Sequence, residues 1–275
     1  MKLGYLGPKG TFSEQAALLC AKQCGGDCEF EMFFNITDVI SAVDEGRVDM
    51  GVVPLENSIE GTVTSTVDTL IFDAELFIRY DLILKISQNL MAKKGTKPED
   101  ISRIVSHPQG LAQCRKYIRS LGVKNTAEAA STAEAARIVS ESHDPIAAIA
   151  PGRAAEVYGL EILGRDIQDD GTNATRFVVI SREATELTPG VKTSIAFTLD
   201  DDNSPGRLYK VLDILNIYEI NMIKIESRPA KHKLGTYVFY IDLIAENGDD
   251  LRDAVKMIKR KVAFFKFLGS YSTIE

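Results

Sequence analysis

Two stretches of this chain concentrate side chains that can move protons or hold anions. Pro54-Leu55-Glu56-Asn57-Ser58-Ile59-Glu60-Gly61-Thr62-Val63 sets a carboxylate, an amide and a hydroxyl side by side after an apolar run. Asp169-Asp170-Gly171-Thr172-Asn173-Ala174-Thr175-Arg176-Phe177 ends in Thr-Arg-Phe at the start of another. Such residues can offer a hydrogen bond to a leaving oxygen, store a proton, or grip a carboxylate with a guanidinium fork. Residue types alone also fit plainer roles, with Glu56 as a loop or capping carboxylate and Arg176 paired to Asp169 or Asp170. No Ser/His/Asp set is visible, and His107, directly before Pro108, fits a turn as well as chemistry.

A second signal recurs. Thr11…Glu14, Asn35…Asp38, Ser106…Gln109 and Ser131…Glu134 each follow a short apolar run, the third with Pro108 early in the helix. These are helix-start signatures. Several such N-termini at the strand ends of an open sheet would turn backbone N–H groups and positive dipole ends towards one crevice. A crevice of that kind suits a small anion with more than one carboxylate. Gly7-Pro8-Lys9-Gly10-Thr11 adds a glycine-rich turn with a lysine, but without the Gly-Lys-Ser/Thr order that cradles nucleotide phosphates.

The elements that must position these groups alternate. Short β runs and helical stretches follow one another from Lys2 to Ile180, the pattern of an α/β sheet. A helix is predicted from about Gly61 to Ile71, and Leu76 to Lys93 reads as β-rich. Glu183 to Lys192 carries Pro189-Gly190 and little apolar content, as a linker does. Beyond it the order becomes βαββαβ, the ferredoxin-like split unit. Two domains are expected, residues 1–185 and 193–275, with the boundary near residue 190.

Composition narrows the class. The 275 residues are 45% hydrophobic and 26% charged, the mix of a globular protein. No window approaches the ~20 apolar residues of a membrane helix, and Met1-Lys2-Leu3-Gly4-Tyr5 lacks a signal-peptide core, so a cytoplasmic protein is expected. The balance of 32 basic against 39 acidic residues disfavours nucleic acid, and Lys256 to Lys261 falls on an amphipathic stretch. Cys20, Cys24, Cys28 and Cys114 lack the paired Cys-x-x-Cys knuckles of zinc sites, so reduced thiols and no metal are expected.

Five strings, in order along nearly the whole chain, resemble the prephenate dehydratase family. They are Gly7-Pro8-Lys9-Gly10-Thr11-Phe12-Ser13-Glu14-Gln15-Ala16, Pro54-Leu55-Glu56-Asn57-Ser58, Ser106-His107-Pro108-Gln109, Asn173-Ala174-Thr175-Arg176-Phe177 and Glu226-Ser227-Arg228-Pro229. The resemblance implies a periplasmic-binding-protein-like pair of α/β lobes followed by an ACT regulatory domain. It implies a lyase that converts prephenate to phenylpyruvate with loss of water and carbon dioxide, in phenylalanine biosynthesis. No cofactor is implied, since aromatisation drives the reaction. Arogenate, with an amino group in place of the keto oxygen, is the alternative substrate; a non-catalytic solute-sensing module on the same scaffold is the alternative function.

Carried onto this sequence, the family's essential threonine is Thr175, a hydrogen-bond donor or proton relay. Glu56 would work with it through a raised pKa, and Arg176 would anchor carboxylate. Substrate-binding positions fall on Thr11, Ser13, Asn57, Ser58, Ser106, Gln113 and Asn173, with Phe177 as an apolar wall. Some relatives carry glutamate where this chain has Ala130. In the C-terminal domain, allosteric L-phenylalanine would contact Asn203, Pro205, Gly206, Leu208, Glu226, Ser227, Arg228 and Pro229, and Arg207 replaces the alanine common after Pro-Gly. A homodimer or homotetramer is the assembly implied.

Overall fold

The protein is described by a computed structural model covering residues 1–199, 205–230 and 235–274. The first lobe begins β1 (Lys2–Leu6), α1 (Phe12–Gln23), β2 (Glu29–Phe33), α2 (Ile36–Asp44), β3 (Met50–Asn57), β4 (Gly61–Thr62), α3 (Thr64–Phe72) and β5 (Phe77–Lys85). The chain then builds a second lobe from β6 (Asn89–Ala92), β7 (Arg103–Ser106), α4 (Pro108–Gln113), α5 (Arg115–Ser120) and β8 (Thr126–Glu128). That lobe continues with α6 (Thr132–Glu141), β9 (Ile146–Ala150), α7 (Gly152–Tyr158) and β10 (Glu161–Gly164), before β11 (Ala174–Ser181) returns to the first.

The two lobes share a plan. The first orders its strands β2-β1-β3-β11-β5 and the second β8-β7-β9-β6-β10. In each the first three are parallel and the remainder antiparallel. Parallel strands covered by helices on both faces must be apolar throughout, and Ile146-Ala147-Ala148-Ile149-Ala150 is buried at every position. The helix predicted from Gly61 starts later, at Thr64, because Gly61 and Thr62 fold back to pair with β3. Strand β10 was not expected: four residues are too few to show an alternating pattern.

The C-terminal unit comprises β12 (Lys192–Thr198), α8 (Arg207–Ile217), β13 (Asn221–Pro229), β14 (Tyr237–Ile244), α9 (Gly248–Lys259) and β15 (Phe264–Ile274). Its strands are ordered β13-β14-β12-β15 with every neighbour antiparallel, the ferredoxin-like arrangement. Helices α8 and α9 cover one face, burying Phe197, Val211, Ile214, Leu251, Val255 and Ile258. The other face shares a core with the first lobe, where Ala196, Tyr240, Leu268 and Tyr271 pack with Leu70, Ile71, Leu76 and Ile78. Strand β15 also pairs in parallel with β5, Ser272 to Ile274 against Tyr80 to Leu82, so ten strands form one continuous sheet.

Gly269 makes that junction possible. Its φ is +136°, and a Cβ there would stand 2.4 Å from the Ile78 carbonyl oxygen, a backbone atom that cannot swing away. Gly269→Ala should therefore destabilise the chain by at least about 2 kcal/mol, read from denaturant unfolding, whereas a change under about 0.5 kcal/mol would mean the seam is looser than drawn. Among the described residues no helix is long and apolar enough to cross a membrane, and no cluster of His, Cys, Asp or Glu is arranged to hold a metal ion. The four cysteines are free thiols.

Candidate active site

Two segments cross between the lobes and meet. The Ile86 N–H donates to the Asn173 carbonyl at 2.9 Å, and the Ile167 N–H to the Gln88 carbonyl at 2.9 Å. Against this pair of crossings lies a cleft of about 290 Å³ whose walls come from both lobes. The first lobe contributes Thr11, Ser13, Asn57, Asn173 and Thr175, and the second His107, Gln109, Gln113, Ser131 and Thr132. Ala130 also lines it, so a methyl group, not a carboxylate, stands on the cleft wall just before Ser131. Among the described residues that line the cleft, His107 is the only ionisable side chain.

Helix N-termini do converge here. Thr11 caps α1, its Oγ1 accepting from the Glu14 N–H at 3.3 Å and donating to the Pro8 carbonyl at 2.9 Å. Ser131 caps α6, accepting from the Glu134 N–H at 3.0 Å. Asn35 caps α2 in the same way but does not line the cleft. The cap expected from Ser106 belongs instead to His107, whose Nδ1 accepts from the Gln109 N–H at 3.3 Å. Pro108 is the first residue of α4, so the cap falls on the residue directly before it. With Nδ1 accepting, the proton of a neutral imidazole sits on Nε2. Ser106 is fully buried and donates to the Ile149 carbonyl at 2.7 Å, placing its hydroxyl beneath the site rather than in it.

Thr175 and Asn57 form the polar centre of the first lobe's wall. They are directly opposed across β11 and β3. Asn57 Oδ1 accepts from the Ile59 and Glu60 N–H groups at 3.0 and 3.1 Å, which fixes the amide orientation. Its Nδ2 must then face the other way, and it lies 3.0 Å from Thr175 Oγ1 and 2.9 Å from Asn173 Oδ1. Thr175 thus accepts through its oxygen and keeps its own proton to donate. A hydroxyl polarised by a donor is a stronger donor itself.

Strand alternation removes two expected residues from the cleft. Successive side chains on a strand point to opposite faces. With Thr175 and Asn57 facing the cleft, the adjacent opposed pair Arg176 and Glu56 faces away from it. Glu56 pairs with Lys224 at 2.8 Å. Arg176 is bound neither to Asp169 nor to Asp170: its Nε meets Asp81 at 2.8 Å and its Nη1 meets Asp242 at 2.5 Å. Burial opposes the charge on Arg176, but Tyr271, Asp242 and Tyr240 outweigh that and hold its pKa above the ordinary value. Phe177 returns to the Thr175 face yet is 2% exposed, packed in the core with Leu3, Tyr5 and Ala16 beneath the cleft. Ser58 is exposed at the rim, its Oγ accepting from the Ala174 N–H at 3.0 Å.

Sequence reading missed Ile86 and Gln88 as lining residues. Only the crossing of the chain between lobes brings them there, and no local pattern signals that. Of the expected regulatory residues, Gly206 is the left-handed N-cap of α8 with φ +76°, next to the exposed Pro205 and the half-buried Leu208. Ser227 and Pro229 are exposed on β13. Glu226 accepts from Thr62 Oγ1, and Arg228 pairs with Asp68 at 3.1 Å, both across to the first lobe. Asn203 lies outside the described residues.

Comparison with known proteins adds independent findings. The family model for prephenate dehydratase matches residues 3–185. The prephenate dehydratase of Methanocaldococcus jannaschii is 40% identical over 274 residues, spanning 98% of each chain. The structure of prephenate dehydratase from Arthrobacter aurescens in complex with L-Phe superposes with a TM-score of 0.88 at 34% identity, covering 99% of this chain and 90% of that one. A structure described as GqqA, a novel type of quorum quenching acylase, superposes with a TM-score of 0.87 at 29% identity, covering 98% and 97%. The match to the family model and the full-length likeness to its curated member agree: the chain belongs to the prephenate dehydratase family.

Proposed function

We propose that the cleft converts prephenate to phenylpyruvate and that Thr175 is the donor to the departing hydroxyl. The observation that carries this reading is the Asn57–Thr175 pair, in which an oriented amide bonds the threonine oxygen and leaves its proton free. In the reaction the ring C–O bond breaks with its electron pair going to oxygen, which takes up a proton and leaves as water. The bond to the ring carboxylate breaks as well; its electrons complete the aromatic ring and carbon dioxide departs. A threonine hydroxyl is too weak an acid to give up its proton outright at neutral pH, so it serves as a hydrogen-bond donor or passes on a proton taken from elsewhere. Glu56 faces away from the cleft, which leaves His107 as the lining group able to exchange a proton. The retained carboxylate would sit at the mouths of α1 and α6, among Thr11, Ser13, Ser131 and Thr132, where N–H dipoles favour negative charge.

The C-terminal unit, residues 193–275, acts in this reading as an ACT domain that binds L-phenylalanine near Pro205, Gly206 and Leu208 and along Glu226 to Pro229, with residues 1–185 as the catalytic domain. The Arthrobacter relative solved with L-Phe supports it. The assembly is a homodimer or homotetramer, and the setting is the cytoplasm.

The test is direct. Purified chain is incubated with prephenate, with arogenate and with an N-acyl amide, following phenylpyruvate, phenylalanine and free amine respectively. Turnover of prephenate, altered by added L-phenylalanine, is the expected result. Turnover of arogenate alone would change the substrate, amide cleavage alone would favour the acylase chemistry, and no turnover of any would leave a sensing module.

A further inference from the structure

Behind the pair that faces the cleft lies a second pair. Asn57 opposes Thr175 across β3 and β11, and Glu56 opposes Arg176 one step along. The front pair lines the cleft, whereas the back pair is gripped by the C-terminal unit, every strand of which takes part. From β13, Lys224 binds Glu56 at 2.8 Å. From β14, Asp242 binds Arg176 at 2.5 Å, and from β15 the Tyr271 hydroxyl accepts from Arg176 Nη2 at 2.8 Å. From β12, Lys192 binds Asp81 at 2.7 Å, the same carboxylate that holds Arg176 Nε, and Ser194 donates to Asp242 at 2.5 Å. Asp81 and Asp242 are fully buried, so each of these charges depends on its partners.

Three bonds hold the Arg176 guanidinium and the Lys224 pair holds Glu56, and the front pair is one peptide away on the same two strands. Catalytic donors must be held to within about half an ångström of their working geometry. We propose that Glu56 and Arg176 are positioning residues through which the C-terminal unit holds Asn57 and Thr175 in place for the reaction. The inference rests on the dehydratase reading and deepens it: the C-terminal unit acts on Thr175 through covalently adjacent residues, not through the substrate.

The experiment uses the full chain with Asp242→Asn and Lys224→Gln, each alone and combined with Thr175→Ala. Alone, Asp242→Asn should lower kcat about tenfold and Lys224→Gln about threefold, with KM within about threefold of wild type. In the Thr175→Ala background each should cost less than about twofold, because a group acting through Thr175 has nothing left to position. Losses that multiply in both backgrounds, or unchanged kcat in folded variants, would overturn the proposal. Lys224 sits at the edge of the network, so Lys224→Gln carries the test if Asp242→Asn fails to fold. A second readout is independent of turnover: amide exchange at residues 55–58 and 172–178 should quicken about tenfold in the variants while β1 stays unchanged. Unaltered exchange there overturns the proposal as well. A wild-type chain without dehydratase activity refutes the parent reading alone and leaves the exchange measurement to decide this one.

Discussion

Thr175→Ala should lower kcat by about 10²-fold or more while KM changes by less than about threefold. A hundredfold loss corresponds to about 2.7 kcal/mol of transition-state stabilisation, the size expected for one oriented donor. The selectivity for kcat follows from charge. The leaving oxygen gains negative charge only as its bond to the ring breaks, so the donor's bond strengthens in the transition state and is weak in the bound substrate. Thr175→Ser keeps the hydroxyl and the Asn57 bond, and should retain activity to within about tenfold. The variant must be shown to fold. Steady-state kinetics with a melting curve suffice, and a folded Thr175→Ala with near-wild-type turnover would remove the threonine from the mechanism.

The same strand shows how far the sequence could be read. Thr175-Arg176-Phe177 is a contiguous string, and a family resemblance treats such strings as units. A strand does not. Period-two alternation separates Thr175 from Arg176, and the identical argument separates Asn57 from Glu56; both were legible once those residues were assigned to strands. Pro108 likewise implied that His107, not Ser106, closes the N-terminus of α4. The partners of Arg176 were not legible. Asp81 and Asp242 stand in apolar runs, Tyr80-Asp81-Leu82 and Ile241-Asp242-Leu243, which announces that each must meet a cation, but only the folded sheet says which. The order of elements, the βαββαβ tail and the capping pairs at Thr11, Asn35 and Ser131 follow from short-range patterns and were readable for that reason.

A chain ending at Val191 discriminates between two views of the C-terminal unit. If residues 1–185 are an autonomous catalytic domain, the truncated chain should fold, keep activity and lose only its response to phenylalanine. The seam argues for a different result. Leu70, Ile71, Leu76 and Ile78 are each no more than 2% exposed, and they share their core with Ala196, Tyr240, Leu268 and Tyr271 from beyond the cut. Burying one such aliphatic side chain contributes about 1.5–3 kcal/mol, so uncovering even half of these four would cost about 3–6 kcal/mol. Whole domains have only about 5–15 kcal/mol to lose. The cut also removes Lys266, whose ammonium caps the C-terminal end of α3 through the Ala74 carbonyl at 2.5 Å, and it opens β5 as a sheet edge along Tyr80 to Leu82. The expected outcome is an insoluble product, or a melting temperature more than about 10 °C below that of the full chain. The full chain should itself unfold in a single calorimetric transition, since one sheet and one core run through the seam. Two separate transitions, or a truncated chain melting within about 5 °C of the intact one, would show that the shared sheet adds little and that the first lobe positions Thr175 unaided.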